Sequence, residues 1–369
     1  MISTFIKKIR NPFSSRKRVL GELLLFLITC CFILQPIYAE EGEYAAEFLS
    51  AGVGARAIGM GGAFVSVAND ATAAYWNPAG LAKIGRNAFS AMYSDVFESA
   101  DGGFLSSGLV KYNFANYIHN WRTVGTFGVS WIRLGIDDIP RTTFTDVNYN
   151  SKLGDFYDTN GNGVKDPGEL YIDRPKVAEF FSNSDDAILI SYARPFSDRL
   201  AVGGNFKILH QSLFRNRAFG WGFDVGAIFK VVDGFQIGVI IQDATGTRIS
   251  WNTDSRPTFV RSPNLKFGAS YLLPISVIKS TAIFSADIDT DGGDIDSQNN
   301  SQFRYRIHYG VEYWLFNIIA LRAGSEKGEL SVGAGFRIPI GNAAICADYA
   351  FASHEDLGGS QRVSLSGQF

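Results

Sequence analysis

The sequence predicts an all-β fold: a transmembrane antiparallel β-barrel of about fourteen strands, with an N-terminal plug (hatch) segment inside it. Three observations carry that expectation. Short segments of alternating apolar and polar residues recur from Ala88 onward, long and short connections fall on opposite sides, and aromatic residues gather near segment ends. The chain has 369 residues, of which 46% are hydrophobic, 14% aromatic and 19% charged, with 39 glycines and a formal net charge of -2. That hydrophobicity excludes a disordered chain, and the glycine content is far below a collagen repeat. The balanced charge gives no reason to expect nucleic acid as a partner.

The N-terminus reads as an address. Lys7, Lys8, Arg10, Arg16, Lys17 and Arg18 precede an apolar run over 23–34, and Ala39 before Glu40-Glu41 offers a cleavage point. This predicts a signal peptide over 1–39. The run is shorter than the ~20 residues of a spanning helix, which argues against a retained anchor. A lipoprotein reading through Cys30 meets Thr29 where a very small residue belongs. Cleavage after Ala39 would leave Cys346 as the lone cysteine, so no internal disulfide is expected.

Candidate strands run over 88–96, 104–115, 122–134, 186–195, 199–211, 219–232, 234–245, 261–273, 278–289, 304–315, 317–325, 329–338, 342–351 and 360–369. They number fourteen, even as bacterial outer-membrane barrels require. Leu330, Val332, Ala334, Phe336 and Ile338 share one face, with Ser331, Gly333, Gly335 and Arg337 on the other. In the last segment Val363, Leu365 and Phe369 oppose Arg362, Ser364, Ser366 and Gln368.

A water-soluble sandwich would alternate in the same way, so connection lengths separate the two. If the first strand runs outward, the inner connections are short, while the outer ones include 135–185, 246–260, 290–303 and 352–359. Barrels of the outer membrane segregate loops in this manner. Trp121, Trp131, Trp221, Trp251, Tyr271, Trp314 and Phe316 are among the expected interfacial girdle residues. Phe369, a terminal aromatic on an alternating strand, has the form of a signal for the barrel assembly machinery. Residues 88–369 are thus expected to form the barrel, with outer-membrane lipid around it.

Residues 40–87 lack strand alternation and are rich in Ala and Gly, which suits a compact plug. Their glycines do not form a phosphate cradle, because no strand precedes them and no Lys-Ser/Thr pair follows. The run Gly54-Ala55-Arg56-Ala57-Ile58-Gly59-Met60-Gly61-Gly62-Ala63, then Asp70-Ala71-Thr72 and Tyr75-Trp76-Asn77-Pro78-Ala79-Gly80-Leu81, resembles the N-terminal region of the PorV/PorQ outer-membrane family. More distantly it is similar to the fatty-acid transporter FadL through its Asn-Pro-Ala element. The resemblance implies a FadL-like barrel at the bacterial outer membrane, plugged by a segment containing Arg56, Gly59, Gly61, Gly62, Asp70, Trp76, Asn77, Pro78 and Ala79. It implies a component of type IX secretion that handles secreted protein cargo. The alternative it implies is a FadL-like channel for long-chain fatty acids or other hydrophobic small molecules.

The long outer connection at 135–185 holds a calcium-type loop. Asp158, Asn160, Asn162, the Val164 carbonyl, Asp166 and Glu169 occupy positions 1, 3, 5, 7, 9 and 12, with Gly163 at the turn. A hard cation takes six to eight oxygens, and this spacing supplies them, so one structural calcium is expected. Lys165 stands where an apolar residue is usual and no amphipathic helices flank the loop, which leaves a polar surface loop as the competing reading. A second acidic run, Asp287, Asp289, Asp291, Asp294 and Asp296, has Gln298 in place of the closing Glu and reads as a solvated outer loop or a weaker second cation site.

The four histidines are scattered, with no HExxH pair, no zinc spacing and no Gly-x-Ser-x-Gly elbow. No catalysed reaction is expected.

Overall fold

The computed structural model describes residues 46–95, 110–147, 154–291, 304–354 and 358–369. The expected signal peptide, with Cys30 and Cys31, lies outside the described residues, as do 292–298 of the second acidic run.

Sixteen strands follow in chain order. β1 (Ala88–Asp95), β2 (Val110–Trp121), β3 (Gly125–Thr145), β4 (Arg174–Pro195), β5 (Leu200–Leu213) and β6 (Asn216–Val232) form an antiparallel meander. Then come β7 (Phe235–Gln242), β8 (Thr247–Trp251), β9 (Thr258–Arg261), β10 (Asn264–Ile275) and β11 (Ser280–Asp291). β12 (Arg304–Leu315), β13 (Ile319–Glu326), β14 (Glu329–Ile340), β15 (Ala343–His354) and β16 (Gly358–Gln368) complete the wall. β1 pairs β16, with Ala88 opposite Gln368, so the sheet closes. Closure leaves no edge with unpaired backbone groups, the condition for a sheet in hydrocarbon.

Fourteen of these strands make the closed barrel, and β8 and β9 are the exception. β6 pairs β7 through Val225–Val232 and β8 through Ala218–Trp221, so β7 and β8 are one strand broken at Asp243–Gly246. β9 and β10 continue the same break into the next strand. Asp243 adopts a left-handed φ of 55° at the kink.

The expected open loop of 135–185 is much smaller. Its flanks pair instead: β3 runs on to Thr145 and β4 begins at Arg174, with two register shifts, one between Ile136 and Ile139. Alternating Thr and Phe pairs such as Phe144 opposite Pro175 extend the ladder beyond the apolar band, and only 146–173 remains as loop.

Alternation fixes what each face meets. Leu330, Val332, Phe336 and Ile338 point outward and are exposed, as a bilayer-facing row requires. Trp121, Trp131, Trp221, Tyr271 and Phe316 are likewise exposed near strand ends. Trp314 departs from the expected girdle: it is 7% exposed, inside the barrel, with the Arg337 guanidinium 4.5 Å from its ring centroid. Among the described residues no helix is long and apolar enough to cross a membrane.

Candidate functional site

Residues 46–87 fill the lumen, and glycines on both partners set how closely. The short helix α1 (Ala55–Ile58) ends in Gly61 and Gly62, whose φ values of 63° and 72° turn the chain sharply. The turn pushes the Met60 carbonyl against the wall, where a Cβ on Gly310 would lie 2.5 Å from that oxygen. Gly324 faces Met60 and Gly61 in the same way, and Gly59 faces Gly333. Lower down, Pro78 rests on Gly203, where a Cβ would come within 2.6 Å of the proline carbonyl. Small residues on the wall thus let plug backbone touch strand backbone.

The Asn-Pro-Ala element is a staple. Asn77, fully buried, follows α2 (Ala73–Trp76) and donates from Nδ2 to the carbonyls of Val65 (3.0 Å), Ala227 (3.2 Å) and Val239 (3.3 Å). Its Oδ1 accepts the Ala79 N–H at 3.2 Å. Trp76 donates from Nε1 to the Val53 carbonyl at 2.8 Å. One side chain therefore ties two plug turns to facing residues of β6 and β7.

Arg56 carries the charge of the motif. Its guanidinium binds both oxygens of Glu312, and also Asn69 (2.7 Å) and Asp70 (2.8 Å). Asp70 in turn accepts the Thr72 N–H and hydroxyl. Glu312 is shared with Arg322, which pairs Asp348 at 2.8 Å. His308 donates to the Gly61 carbonyl.

The second acidic run is corrected here. Asp287 and Asp289 are wall residues of β11 that face the lumen, because the period-2 pattern continues through them. Asp287 accepts the Val65 N–H at 2.8 Å, and Asp289 pairs Lys266 and Arg306. Both are committed to protein partners.

The lumen wall has two unlike sectors. From β11 to β16 it carries Asp287, Asp289, His308, Glu312, Arg322, Asp348 and Arg362, all buried. From β2 to β5 its inward residues include Tyr112, Phe114, Ile132, Leu189 and Leu209, all at most 2% exposed. A polar inward row on every strand, which alternation suggests, is therefore absent from this side. The plug's Phe48 and Leu49 are buried in one apolar cluster with these residues.

Between the sectors lies a group that sequence reasoning missed. Ser94 pairs with Tyr112 on one side and Arg362 on the other, so the three stand in one lumen-facing row. The Ser94 and Tyr112 hydroxyls and Arg362 Nε have no hydrogen-bond partner. Arg362 Nη1 donates to the plug carbonyls of Ala51 (2.6 Å) and Gly52 (2.9 Å), and no carboxylate pairs it. Arg362 stood on the correct face in the alternation, but its isolation depends on strands 250 residues apart in sequence or more.

At the β7–β8 kink, Lys207 binds Asp224 at 2.7 Å and also Asp243, which Arg261 holds at 3.0 Å. Arg261 donates in addition to the Ala46 carbonyl (2.6 Å) and Ser50 (3.0 Å). The kink thereby anchors the start of the described plug.

In the outer loop Asp158 accepts the N–H groups of Gly161, Asn162 and Gly163. Asn160 and Asn162 donate to Asp166 Oδ2 at 2.6 and 2.8 Å. Glu169 is turned toward the Thr159 and Asp166 N–H groups, which hold its carboxyl below the usual range. The candidate ligand side chains are thus close together, yet among the described residues no three acidic or histidine side chains converge on one metal position. Phe369 lies beyond the end of β16 and exchanges two backbone bonds with Asn87.

Comparison with solved structures places the architecture. The Pseudomonas putida toluene transporter TodX superposes with a TM-score of 0.52 at 14% identity, over 86% of this chain and 97% of that one. The Ralstonia pickettii toluene transporter TbuX gives 0.51 at 13%, over 86% and 98%. The fold is that of the FadL-like barrels. A Pseudomonas aeruginosa FadL homologue also aligns, at a TM-score of 0.48 and 13% identity over 86% and 98%. No protein-family model and no curated protein matches the chain, so neither PorV/PorQ membership nor type IX secretion gains support.

Proposed function

We propose that this FadL-like barrel is an outer-membrane channel that passes apolar small molecules without altering them, with the N-terminal segment as its gate. The observation that carries this reading is the apolar lumen sector of β2–β5 covered by Phe48 and Leu49. A water-filled pore has no use for an inward face of Tyr112, Phe114, Ile132, Leu189 and Leu209, whereas an apolar ligand gains ~25 cal/mol for each Å² it buries there. TodX and TbuX are toluene transporters, which agrees in ligand class.

Arg362 favours a ligand with an acidic head over a plain hydrocarbon. A buried guanidinium without a carboxylate is costly, and the Ala51 and Gly52 carbonyls occupy the donors that a head group would take. A long-chain carboxylate laid against β2–β5 would end there. Calorimetric titration of the purified barrel with oleate and with toluene tests this. Oleate binding that falls about tenfold in Arg362→Leu, with toluene unaffected, is expected; failure of both ligands to bind would discard the channel reading.

We also propose that the 158–169 loop takes one calcium ion through Asp158, Asn160, Asn162, the Val164 carbonyl, Asp166 and Glu169. Turning each Asn amide over exchanges its nitrogen for an oxygen, and a cation would then replace the side-chain bonds to Asp166. The ion would order the loop and take no part in transport.

A further inference from the structure

A groove of about 480 Å³ runs along the outside of the wall over β6, β7 and β10–β12. Strand register explains it. One lipid-facing row reads Phe229, Ile237, Ala269, Ala286, Tyr309, and the next row outward reads Ala227, Val239, Phe267, Ile288, Ile307. Alanine at 269 and 286 falls on facing residues of adjacent strands, so a trough one side chain deep opens between larger neighbours. Phe267 and Ile288 bound it on one side, and Ile237 and Tyr309 close its ends.

From this we infer that the groove is a binding site for the acyl chain of a phospholipid in the periplasmic leaflet. Height selects the leaflet. Ile237 stands two residues above Phe235, where β7 leaves its short turn, so the trough opens within about 7 Å of the periplasmic interface. Chemistry selects the occupant: the lining side chains are aliphatic or aromatic apart from Asp287, whose carboxylate is engaged by Val65 on the lumen side. A methylene chain in a trough meets atoms on three sides, whereas on a flat wall it meets them on one. Each added carbon pair contributes ~0.1–0.2 kcal/mol, so residence there outlasts ordinary lipid exchange.

The glycine pair Gly238 and Gly268 forms the wall behind the trough, with the Val65 carbonyl pressed against Gly238 from inside. Lipid and plug are therefore separated at this point by backbone alone. The inference depends on the barrel fold and not on what the lumen carries.

The test uses the full-length protein in phosphatidylethanolamine vesicles doped with a phosphatidylethanolamine that bears a diazirine on its acyl chain. After irradiation, adducts are mapped by peptide mass spectrometry. Excess labelling of the 264–275 and 280–291 peptides over the equally lipid-exposed 329–340 peptide is expected. Ala269→Phe should remove that excess about fivefold while leaving the 329–340 label unchanged. Ala269→Val serves as a milder filling variant, and the heat shift on cold gels verifies that each barrel is folded. Even labelling of all lipid-facing strands, or an excess that survives filling of the trough in a folded barrel, would overturn the site. Loss of the excess on adding toluene or oleate would also overturn it, by assigning the groove to the transported molecule.

Discussion

Arg56 of the plug and Glu312 of β12, 256 residues apart in sequence, meet through two parallel hydrogen bonds of 2.8 and 2.7 Å. Such a fork-to-carboxylate pair has strong directional demands, so it fixes the rotation of the plug within the barrel.

Glu312→Ala should therefore cost more than Arg56→Ala. Without Glu312 the guanidinium groups of Arg56 and Arg322 lose a shared partner in a buried site, at about 3–5 kcal/mol. Without Arg56 the carboxylate keeps Arg322. Urea unfolding followed by band shift on cold gels would check the order, and equal midpoints for the two variants would sink it.

Gly324→Val should keep the barrel intact but unseat the plug, because a Cβ there falls on Met60 and Gly61 backbone. Planar-bilayer recording is expected to show raised ion conductance relative to the unsubstituted protein. Asn77→Ala should do the same more weakly, losing roughly 1–3 kcal/mol from three unmet carbonyls. Wild-type conductance in Gly324→Val would contradict close backbone packing.

The neck of the outer loop should open in acid. Asp173 accepts N–H donors from Val147, Gly154 and Asp155, and the Val147 bond leads in holding its carboxyl below the ordinary 3.8. A depressed folded-state value adds stability that is full above the unfolded value and is lost as pH falls through the folded one. Acid-protease cleavage within 146–173, measured in chelator, should be slow at pH 5 and accelerate below about pH 3. Asp173→Asn should be cleaved at both.

Calcium should bind the loop with a dissociation constant of roughly 10⁻⁴ to 10⁻³ M, the range of extracellular modules. Heat of binding at millimolar calcium that disappears in Asp158→Ala is the expected result. Absence of heat in the unsubstituted protein would leave the loop as a self-bonded polar turn.

Much of the wall was legible because strand alternation is a local property. Val332 and Phe336 are lipid-facing for reasons contained in five consecutive residues. Where local reading failed, a partner distant in sequence was responsible. Trp314 carries the composition of a girdle residue, but β13 and β14 bring Arg322 and Arg337 onto its ring. Asp287 and Asp289 looked like a solvated loop until Val65, Lys266 and Arg306 arrived from three other segments.

The sequence by itself determined the strand number, the inward and outward rows, and the position and glycine content of the plug. These follow from side-chain period and backbone freedom, which short windows of sequence contain. Only the tertiary structure decided which sector of the lumen is apolar and which charged, that Arg362 stands without a carboxylate, and that alanines 269 and 286 align into a trough. Each depends on the register of strands across the barrel. Register is a sum over many weak pairings around a closed sheet, and it becomes definite only when the last strand meets the first.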